Sequence, residues 1–271
     1  MNIEQSTERM RKMAKLIDKL WNWGHLEGSH NEITKLNCSM TPEEFGEVYG
    51  IKNSFMVSYG GNIQPPFGPL AKRFSGLKEV VWSVLGDFSS PLPEHRLGNT
   101  LDIIEALSEG GNITGGIVDD FFSEERMKRF TPEVLKEIKQ TLNSHGLKFW
   151  CVLYGHQLEF DLEKYMDCFD GVTFWIWRCE DIVKVDEYLD KLFAITQGKP
   201  TMLGMYLWDY AGEKPMDIAL FEKQLSLYFG LLQEKKIDGV VFCSSTIGDA
   251  DLETNALLKS YIKEQGEIEI G

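Results

Sequence analysis

Two adjacent carboxylates end a short apolar run in the middle of the chain. Residues 115–118, with the sequence GGIV, precede Asp119 and Asp120, and two phenylalanines follow them. This composition is typical of a buried parallel strand, and α/β folds place their chemistry at the carboxyl ends of such strands. We therefore expect Asp119 and Asp120 to carry chemistry.

Carboxylates on separate strands suit glycoside hydrolysis, in which one donates a proton to the leaving oxygen and another attacks the anomeric carbon or activates water. Asp209, which ends a later apolar run, is the third catalytic candidate. Because successive strand residues point to opposite sides, only one of Asp119 and Asp120 should face the cavity, and the sequence leaves open which. Crowded carboxylates would raise one pKa and leave an acid beside an ionised base. The alternative is structural, with one aspartate capping the next helix near Ser123 or pairing with Arg126.

Polar and aromatic residues follow most of the other apolar runs at the corresponding position. Aromatic rings stack on the C–H faces of sugars, and a few polar groups in the same pocket orient the ligand. The residues expected to bind substrate are Tyr59, Gln64, Asp87, His156, Trp177, Arg178, Tyr206 and Trp208. Core packing is the alternative for the tryptophans, and a hydrogen-bonded structural role is the alternative for His156.

His25, Glu27 and His30 offer potential metal ligands within six residues. Their spacing matches neither HExxH nor the HxH of metal-dependent barrel hydrolases, so a metal site would need Asp119 or Asp120 to complete it. We expect no metal and no other cofactor. The alternatives to a glycoside hydrolase are a metal-dependent hydrolase, isomerase or lyase, and a barrel that binds a glycan without cleaving it.

Seven apolar runs predict buried strands, and amphipathic segments separate most of them. The runs are residues 54–59, 79–85, 115–121, 148–154, 171–177, 202–208 and 239–245. Helices are expected over residues 101–107, 181–195, 216–234 and 252–264, and between Thr131 and Gly146. Strands that are apolar throughout need helices on both faces of a parallel sheet or around a barrel.

An eighth strand is needed to close a barrel, and we expect it to be short and irregular within residues 21–36, followed by a helix over residues 41–49. The GGIVDDFF run then lies on strand four. The fold prediction is an α/β (β/α)8 TIM barrel that occupies residues 1–271 as a single domain. An open doubly wound sheet is the alternative, but the sequence has no glycine-rich nucleotide motif to mark its crevice.

The composition of the chain limits which binding partners and which cellular compartment we expect. The net charge of -14 opposes binding to nucleic acid or to an anionic membrane. The five cysteines have no CxxC spacing and indicate reduced thiols. Residues 1–21 are amphipathic and charged, so we expect no signal peptide, no membrane span and a cytoplasmic protein. The expected partner is a small carbohydrate substrate, and the sequence leaves the oligomeric state open.

Six blocks carry a resemblance to known proteins: GGNIQPPF (60–67), WSVLGDFSSPLP (82–93), NITGGIVDDFF (112–122), VLYGH (152–156), VTFWIW (172–177) and LGMYLWDY (203–210). Together they resemble a bacterial family of glycoside-hydrolase-like TIM-barrel proteins without a settled activity, over about residues 53–265. The resemblance implies a barrel fold but does not imply a particular reaction. GGIVDDFF is also similar in placement to the acidic fourth-strand motif of chitinase-like hydrolases. The DxxDxDxE series is absent and no glutamate ends the strand, which argues against chitinase activity and against catalysis assisted by an N-acetyl group.

Overall fold

Eight parallel strands close into a barrel in the computed structural model, which describes residues 14–270. The strands are β1 (Leu20–Gly24), β2 (Asn53–Met56), β3 (Glu79–Leu85), β4 (Ile113–Val118), β5 (Lys148–Tyr154), β6 (Gly171–Trp175), β7 (Thr201–Tyr206) and β8 (Gly239–Cys243). Each strand pairs with the next along the chain, and β8 pairs with β1 to complete the ring. The predicted (β/α)8 barrel is confirmed, the open sheet is excluded, and the GGIV run lies on the fourth strand.

Helices follow the strands and cover the barrel. They are α1 (Asn31–Thr34), α2 (Pro42–Tyr49), α3 (Gly68–Arg73), α4 (Thr100–Gly110), α5 (Glu124–Arg129), α6 (Pro132–Asn143), α7 (Glu163–Met166), α8 (Val185–Thr196), α9 (Ile218–Gln233) and α10 (Glu253–Gln265). The expected helices are all present, with ends shifted by a few residues. The Thr41 side chain caps α2, and its hydroxyl accepts a hydrogen bond from the amide of Glu44. Between β5 and β6 the only α-helix is the single turn α7.

The first strand is more regular than the sequence predicts. All five residues of β1 are buried, and Leu20 to Trp23 align in unbroken register with Val240 to Cys243 of β8. Asn22 interrupts the apolar pattern, but its amide donates a hydrogen bond of 3.1 Å to the Ser54 hydroxyl on β2. This bond satisfies the amide nitrogen of Asn22, whereas Oδ1 has no partner in the described part of the chain. The sequence pattern cannot show a pairing between neighbouring strands.

Several strands end two or three residues before the apolar runs do. β2 ends at Met56 instead of Tyr59, and β4 ends at Val118 instead of Phe121. The apolar character continues because the following loops are themselves buried, as the fully buried Phe121 shows. Apolar composition therefore reports burial and not the end of strand pairing, so most of the candidate site residues, Asp119 and Asp120 among them, lie beyond the barrel strands.

The barrel interior is filled by aromatic side chains that depend on glycines of neighbouring strands. A Cβ atom on Gly204 would lie 2.1 Å from the Trp175 ring, and one on Gly171 would lie 2.3 Å from the Trp150 ring. Trp150 and Trp175 are therefore core residues, as is the fully buried Trp82.

Other sequence predictions concern the cysteines and the membrane. All five cysteines are buried and free. Within residues 14–270, no helix is long and apolar enough to cross a bilayer. The amphipathic segment 1–21 falls mostly outside the described residues. Of its described part, Ala14–Lys15 pairs antiparallel with Glu269–Ile270.

Candidate active site

A cavity of about 120 Å³ opens at the carboxyl ends of the barrel strands. We call it the acidic cavity because three carboxylates, those of Asp87, Asp119 and Asp120, lie in its wall. Apart from Ile33 and Cys243, the rest of the wall consists of aromatic and histidine side chains. Every one of the eight strands or the loop after it contributes, from Trp23 on β1 to Cys243 on β8. In barrel enzymes this face carries the active site.

Both Asp119 and Asp120 line the acidic cavity, so the expectation that only one of them would is wrong. The alternation of side chains holds only within a strand, and β4 ends at Val118. Asp120 has a left-handed backbone with φ of 45°, which turns its side chain back toward the cavity that Asp119 already faces. Neither aspartate caps the next helix, because the Ser123 side chain caps α5.

Asp119 is the most buried of the three carboxylates, with 4% of its surface exposed. Its Oδ1 accepts a hydrogen bond of 2.8 Å from the amide of Asp120, while Oδ2 accepts none from the described part of the chain. Burial, followed by the charges of Asp120 and Asp87, raises the pKa of the Asp119 carboxyl well above its ordinary value. Asp119 is therefore suited to hold a proton that it can donate.

Asp120 is half-buried and accepts a hydrogen bond. Its Oδ2 receives the backbone amide of Phe88 at 2.9 Å. The Tyr154 hydroxyl lies close to the Asp120 carboxylate, and burial raises the pKa of Tyr154 well above its ordinary value, so this hydroxyl stays protonated and keeps its proton as a donor in the cavity. Asp120 is thus a carboxylate fixed by a backbone amide of the loop after β3.

Asp87 is held by the loop that it begins. Oδ1 accepts from the Ser90 hydroxyl at 2.6 Å, and Oδ2 accepts from the Ser89 hydroxyl at 2.5 Å. The two serine oxygens in turn accept the backbone amides of Gly61 and Gly60. This network joins the loops after β2 and β3, and with its oxygens engaged Asp87 contributes a fixed negative charge beside Asp119.

Arg126 on α5 joins the ends of β3 and β4 beneath the carboxylates. Its guanidinium is buried and donates to three backbone carbonyls, those of Gly86 and Asp119 at 2.7 Å each and that of Asp87 at 2.5 Å. The sequence left open a pairing of Arg126 with an aspartate side chain, but these bonds go to the main chain. The buried positive charge holds the two loops that carry Asp87 and Asp119, and lowers the pKa of Asp119 against the larger effect of burial.

Asp209 does not belong to this group of carboxylates. It is buried outside the acidic cavity, in a short antiparallel pairing of Trp208–Asp209 with Lys214–Pro215. Its Oδ1 accepts the amide of Gly212 at 2.9 Å, which closes the turn. Asp87, which we expected only to bind substrate, provides the third acidic group in the cavity instead.

The two histidines considered as metal ligands lie in the wall of the acidic cavity. His25 Nδ1 donates to the Val57 carbonyl at 2.8 Å, and burial lowers the pKa of His25 to about 4, so the ring is neutral. His30 Nδ1 lies 2.8 Å from the Tyr210 hydroxyl, and burial also lowers its pKa. The Glu27 carboxylate bonds to Arg73 instead. Over residues 14–270, no three His, Cys, Asp or Glu side chains converge as a metal site would require.

The predicted substrate-binding residues divide into three groups. Tyr59, Asp87, Trp177 and Tyr206 line the acidic cavity. His156 and Arg178 line a neighbouring cavity of about 280 Å³, which also includes Trp177. Gln64 is exposed and donates to the carbonyl of Gly61, and Trp208 is buried, so neither reaches the two cavities.

Sequence reasoning missed Tyr154 and Tyr210 as cavity residues. Tyr154 ends β5 at the same level as the other strand-end residues, so its position was a usable signal. Tyr210 lies four residues beyond the end of β7 and reaches His30 only through the loop that follows, which no local pattern indicates. Tyr154 and Tyr206 both contact the exposed Trp177 ring edge-on.

The fold is shared with solved enzymes of low sequence identity. The spore cortex-lytic enzyme SleL of Bacillus megaterium QM B1551 superposes with a TM-score of 0.55 at 13% identity, covering 93% of this chain and 76% of that one. The tryptophan synthase A-subunit of Pyrococcus furiosus superposes with a TM-score of 0.54 at 16% identity, covering 94% of this chain and all of that one. No protein-family model and no curated protein matches the chain. At these identities the likeness shows the barrel fold alone.

Proposed function

We propose that the protein is a glycoside hydrolase in which Asp119 is the general acid and Asp120 is the second carboxylate. The observation that carries the proposal is the group of three carboxyls in one aromatic-walled cavity, with the pKa of Asp119 raised by burial and by its acidic neighbours. Two carboxyls in different environments are what glycoside hydrolysis needs, because one must be protonated while the other is not.

The protonation states of the carboxyl groups in the site fit this reaction. Oδ1 of Asp119 accepts the Asp120 amide, so Asp119 donates its proton from Oδ2 to the glycosidic oxygen as the glycosidic bond breaks. Asp120, oriented by the Phe88 amide, attacks the anomeric carbon or activates a water molecule. When Asp120 forms the covalent bond, it loses its negative charge as Asp119 gains one, so the charge in the small cavity stays constant.

The remaining wall suits a sugar. Trp177 and Tyr206 present aromatic surface on which the C–H groups of a pyranose can stack. The neutral His25 ring, whose Nδ1 is occupied by Val57, keeps Nε2 as an acceptor for a hydroxyl group. SleL, a spore cortex-lytic enzyme, is compatible with this proposal, whereas the equally similar tryptophan synthase subunit shows that the fold alone does not select a reaction.

A panel of chromogenic glycosides tests the proposal with the wild type and two variants. Asp120→Asn should lower kcat/KM by at least about 100-fold on every glycoside of the panel, and Asp119→Asn should lower it as much on unactivated oligosaccharides, whose leaving group must be protonated. The control is Asp190→Asn, an exposed aspartate on the outer helix α8. Asp119→Asn should retain more activity on substrates whose leaving group needs no protonation, whereas Asp120→Asn should not.

Asp209→Asn separates the structural assignment from the sequence prediction. Because its carboxylate closes a turn outside the cavity, we expect turnover to follow protein stability in this variant. A folded Asp209→Asn protein without turnover would restore Asp209 as a catalytic group. Cleavage unaffected by both Asp119→Asn and Asp120→Asn would refute the hydrolase, and a sugar that raises Tm but is recovered intact would favour the glycan-binding alternative.

A further inference from the structure

A second cavity lies beside the acidic cavity at the same face of the barrel. We call it the lateral cavity. Its volume is about 280 Å³, and its wall comes from the loops after β5 and β6 and from α8. Trp177 is in the wall of both cavities. A ligand that occupies the acidic cavity therefore meets the lateral cavity directly across this indole.

The size of the acidic cavity requires a second binding region for most ligands. Its volume of about 120 Å³ is below the range of about 300–1,000 Å³ in which small-molecule sites usually fall, whereas the two cavities together reach that range. The acidic cavity holds the reacting end of a ligand, and the remainder must lie elsewhere.

A continuous aromatic wall connects the two cavities. The His156 ring stacks on Tyr154 with an interplanar angle of 13° and 5.6 Å between centroids. The Trp177 ring makes edge-to-face contacts with Tyr154 and Tyr206, at interplanar angles of 82° and 86°, and these two contacts fix the orientation of the indole. Despite these contacts 41% of Trp177 is exposed, which leaves it available for stacking. Tyr154 lines the acidic cavity together with Asp120, so this wall leads to the proposed catalytic carboxylates.

The polar groups of the lateral cavity favour an uncharged, hydroxyl-bearing ligand. The positive charge of Arg178 lies 3.5 Å from Glu180, and the negative charge of Asp181 lies 2.8 Å from Lys184. Burial lowers the pKa of His156, so its ring is neutral at physiological pH. The charges are balanced, and the planar polar groups beside an exposed indole are those that bind sugar hydroxyls.

We propose that the lateral cavity is a second saccharide subsite, which binds the sugar ring next to the one held in the acidic cavity. The substrate then contains at least two neutral sugar rings, and Trp177 lies between them. This inference rests on the proposed glycoside hydrolase function. Arg178 and Asp181 line the lateral cavity but not the acidic cavity, and they supply hydrogen bonds to the second ring.

Chain-length dependence of cleavage tests the subsite. The probes are the 4-nitrophenyl glycosides of the mono- and disaccharide of the sugar that the panel identifies. In the wild type, kcat/KM should be at least tenfold higher for the disaccharide glycoside, and Arg178→Ala or Asp181→Asn should reduce that preference at least fivefold. Asp190→Ala, an exposed position on α8, is the matched control. Equal kcat/KM for both probes, or a preference unchanged in both variants, overturns the inference.

A binding measurement on the full chain keeps the subsite separate from the hydrolase proposal. Calorimetry uses β-1,4-linked oligosaccharides of one to four units in the glucose, xylose, mannose and N-acetylglucosamine series. Affinity should rise at least tenfold from one unit to two in one series, and Arg178→Ala should remove the gain. If that gain appears although no glycoside is cleaved, the subsite stands and the hydrolase fails. Binding in none of the four series, or affinity independent of length, overturns the subsite.

Discussion

Replacing Arg126 by Met should both destabilise the protein and change the ionisation of its proposed acid. The guanidinium is 3% exposed and makes three hydrogen bonds to the carbonyls of Gly86, Asp87 and Asp119. Hydrogen bonds that involve a charged group contribute about 1.5–3 kcal/mol each. Because such bonds are not additive and removal of Arg126 also removes the cost of burying its charge, we expect a net loss of about 3–5 kcal/mol.

Two further variants separate charge from geometry. Arg126→Lys keeps the positive charge, but a single ammonium group cannot replace a planar guanidinium that bonds to three carbonyls. Its loss of unfolding free energy should therefore lie between those of the wild type and Arg126→Met. Arg129→Met is the matched control on the same helix. Arg129 is exposed and donates to the Pro93 carbonyl, so its replacement should cost less than about 1 kcal/mol.

Urea unfolding at pH 7 measures the stability, and a pH profile of kcat/KM measures the ionisation. The positive charge of Arg126 lowers the pKa of Asp119, so its removal should raise that pKa further. Since the general acid must be protonated, the basic limb of the profile should move to higher pH in Arg126→Met and less in Arg126→Lys. Equal stability losses in Arg126→Met and Arg129→Met, or a basic limb that does not move in Arg126→Met, would refute the assignment of Arg126 as the positioning residue.

Three other predictions concern stability. The pKa of Asp119 is higher in the folded state than in the unfolded state, so the contribution of Asp119 to stability is lost as pH rises through its folded-state pKa. The urea midpoint of Asp119→Asn should therefore rise relative to that of the wild type between pH 4 and pH 8. A difference between the two midpoints that does not change with pH would contradict the raised pKa. Burial lowers the pKa of His25 from 6.5 to about 4, so His25 should cost the wild type about 3 kcal/mol of unfolding free energy as pH falls from 6.5 to 4. A His25→Gln protein that loses as much stability over the same pH range would contradict this assignment. Gly204→Ala should lower the unfolding free energy by about 1–3 kcal/mol, because the new Cβ would meet the Trp175 ring. Gly230→Ala, which faces open space on α9, should raise it by about 0.5–1 kcal/mol. Similar melting temperatures for the two variants would refute the packing argument.

Much of the barrel was predictable because its pattern is local. A strand buried on both faces must be apolar, and a helix that covers it must be amphipathic, so each unit carries its own signal. The run at residues 115–118 is an example, since composition alone indicated a buried strand that ends in acid. The first strand was harder, because Asn22 is polar in sequence and becomes acceptable only when Ser54 of the neighbouring strand is beside it.

The sequence by itself determined that the chain forms a (β/α)8 barrel and that acidic and aromatic residues collect at one end of it, because strand period and apolar composition are local properties. Only the tertiary structure decided which of those residues meet. Asp120 joins Asp119 because its backbone is left-handed beyond the strand end, and Asp87 lies with them because serines of one loop bind glycine amides of another. Asp209 has the same local signal but turns to Gly212. Side-chain direction in loops depends on hydrogen bonds between residues distant in sequence, which periodicity does not encode.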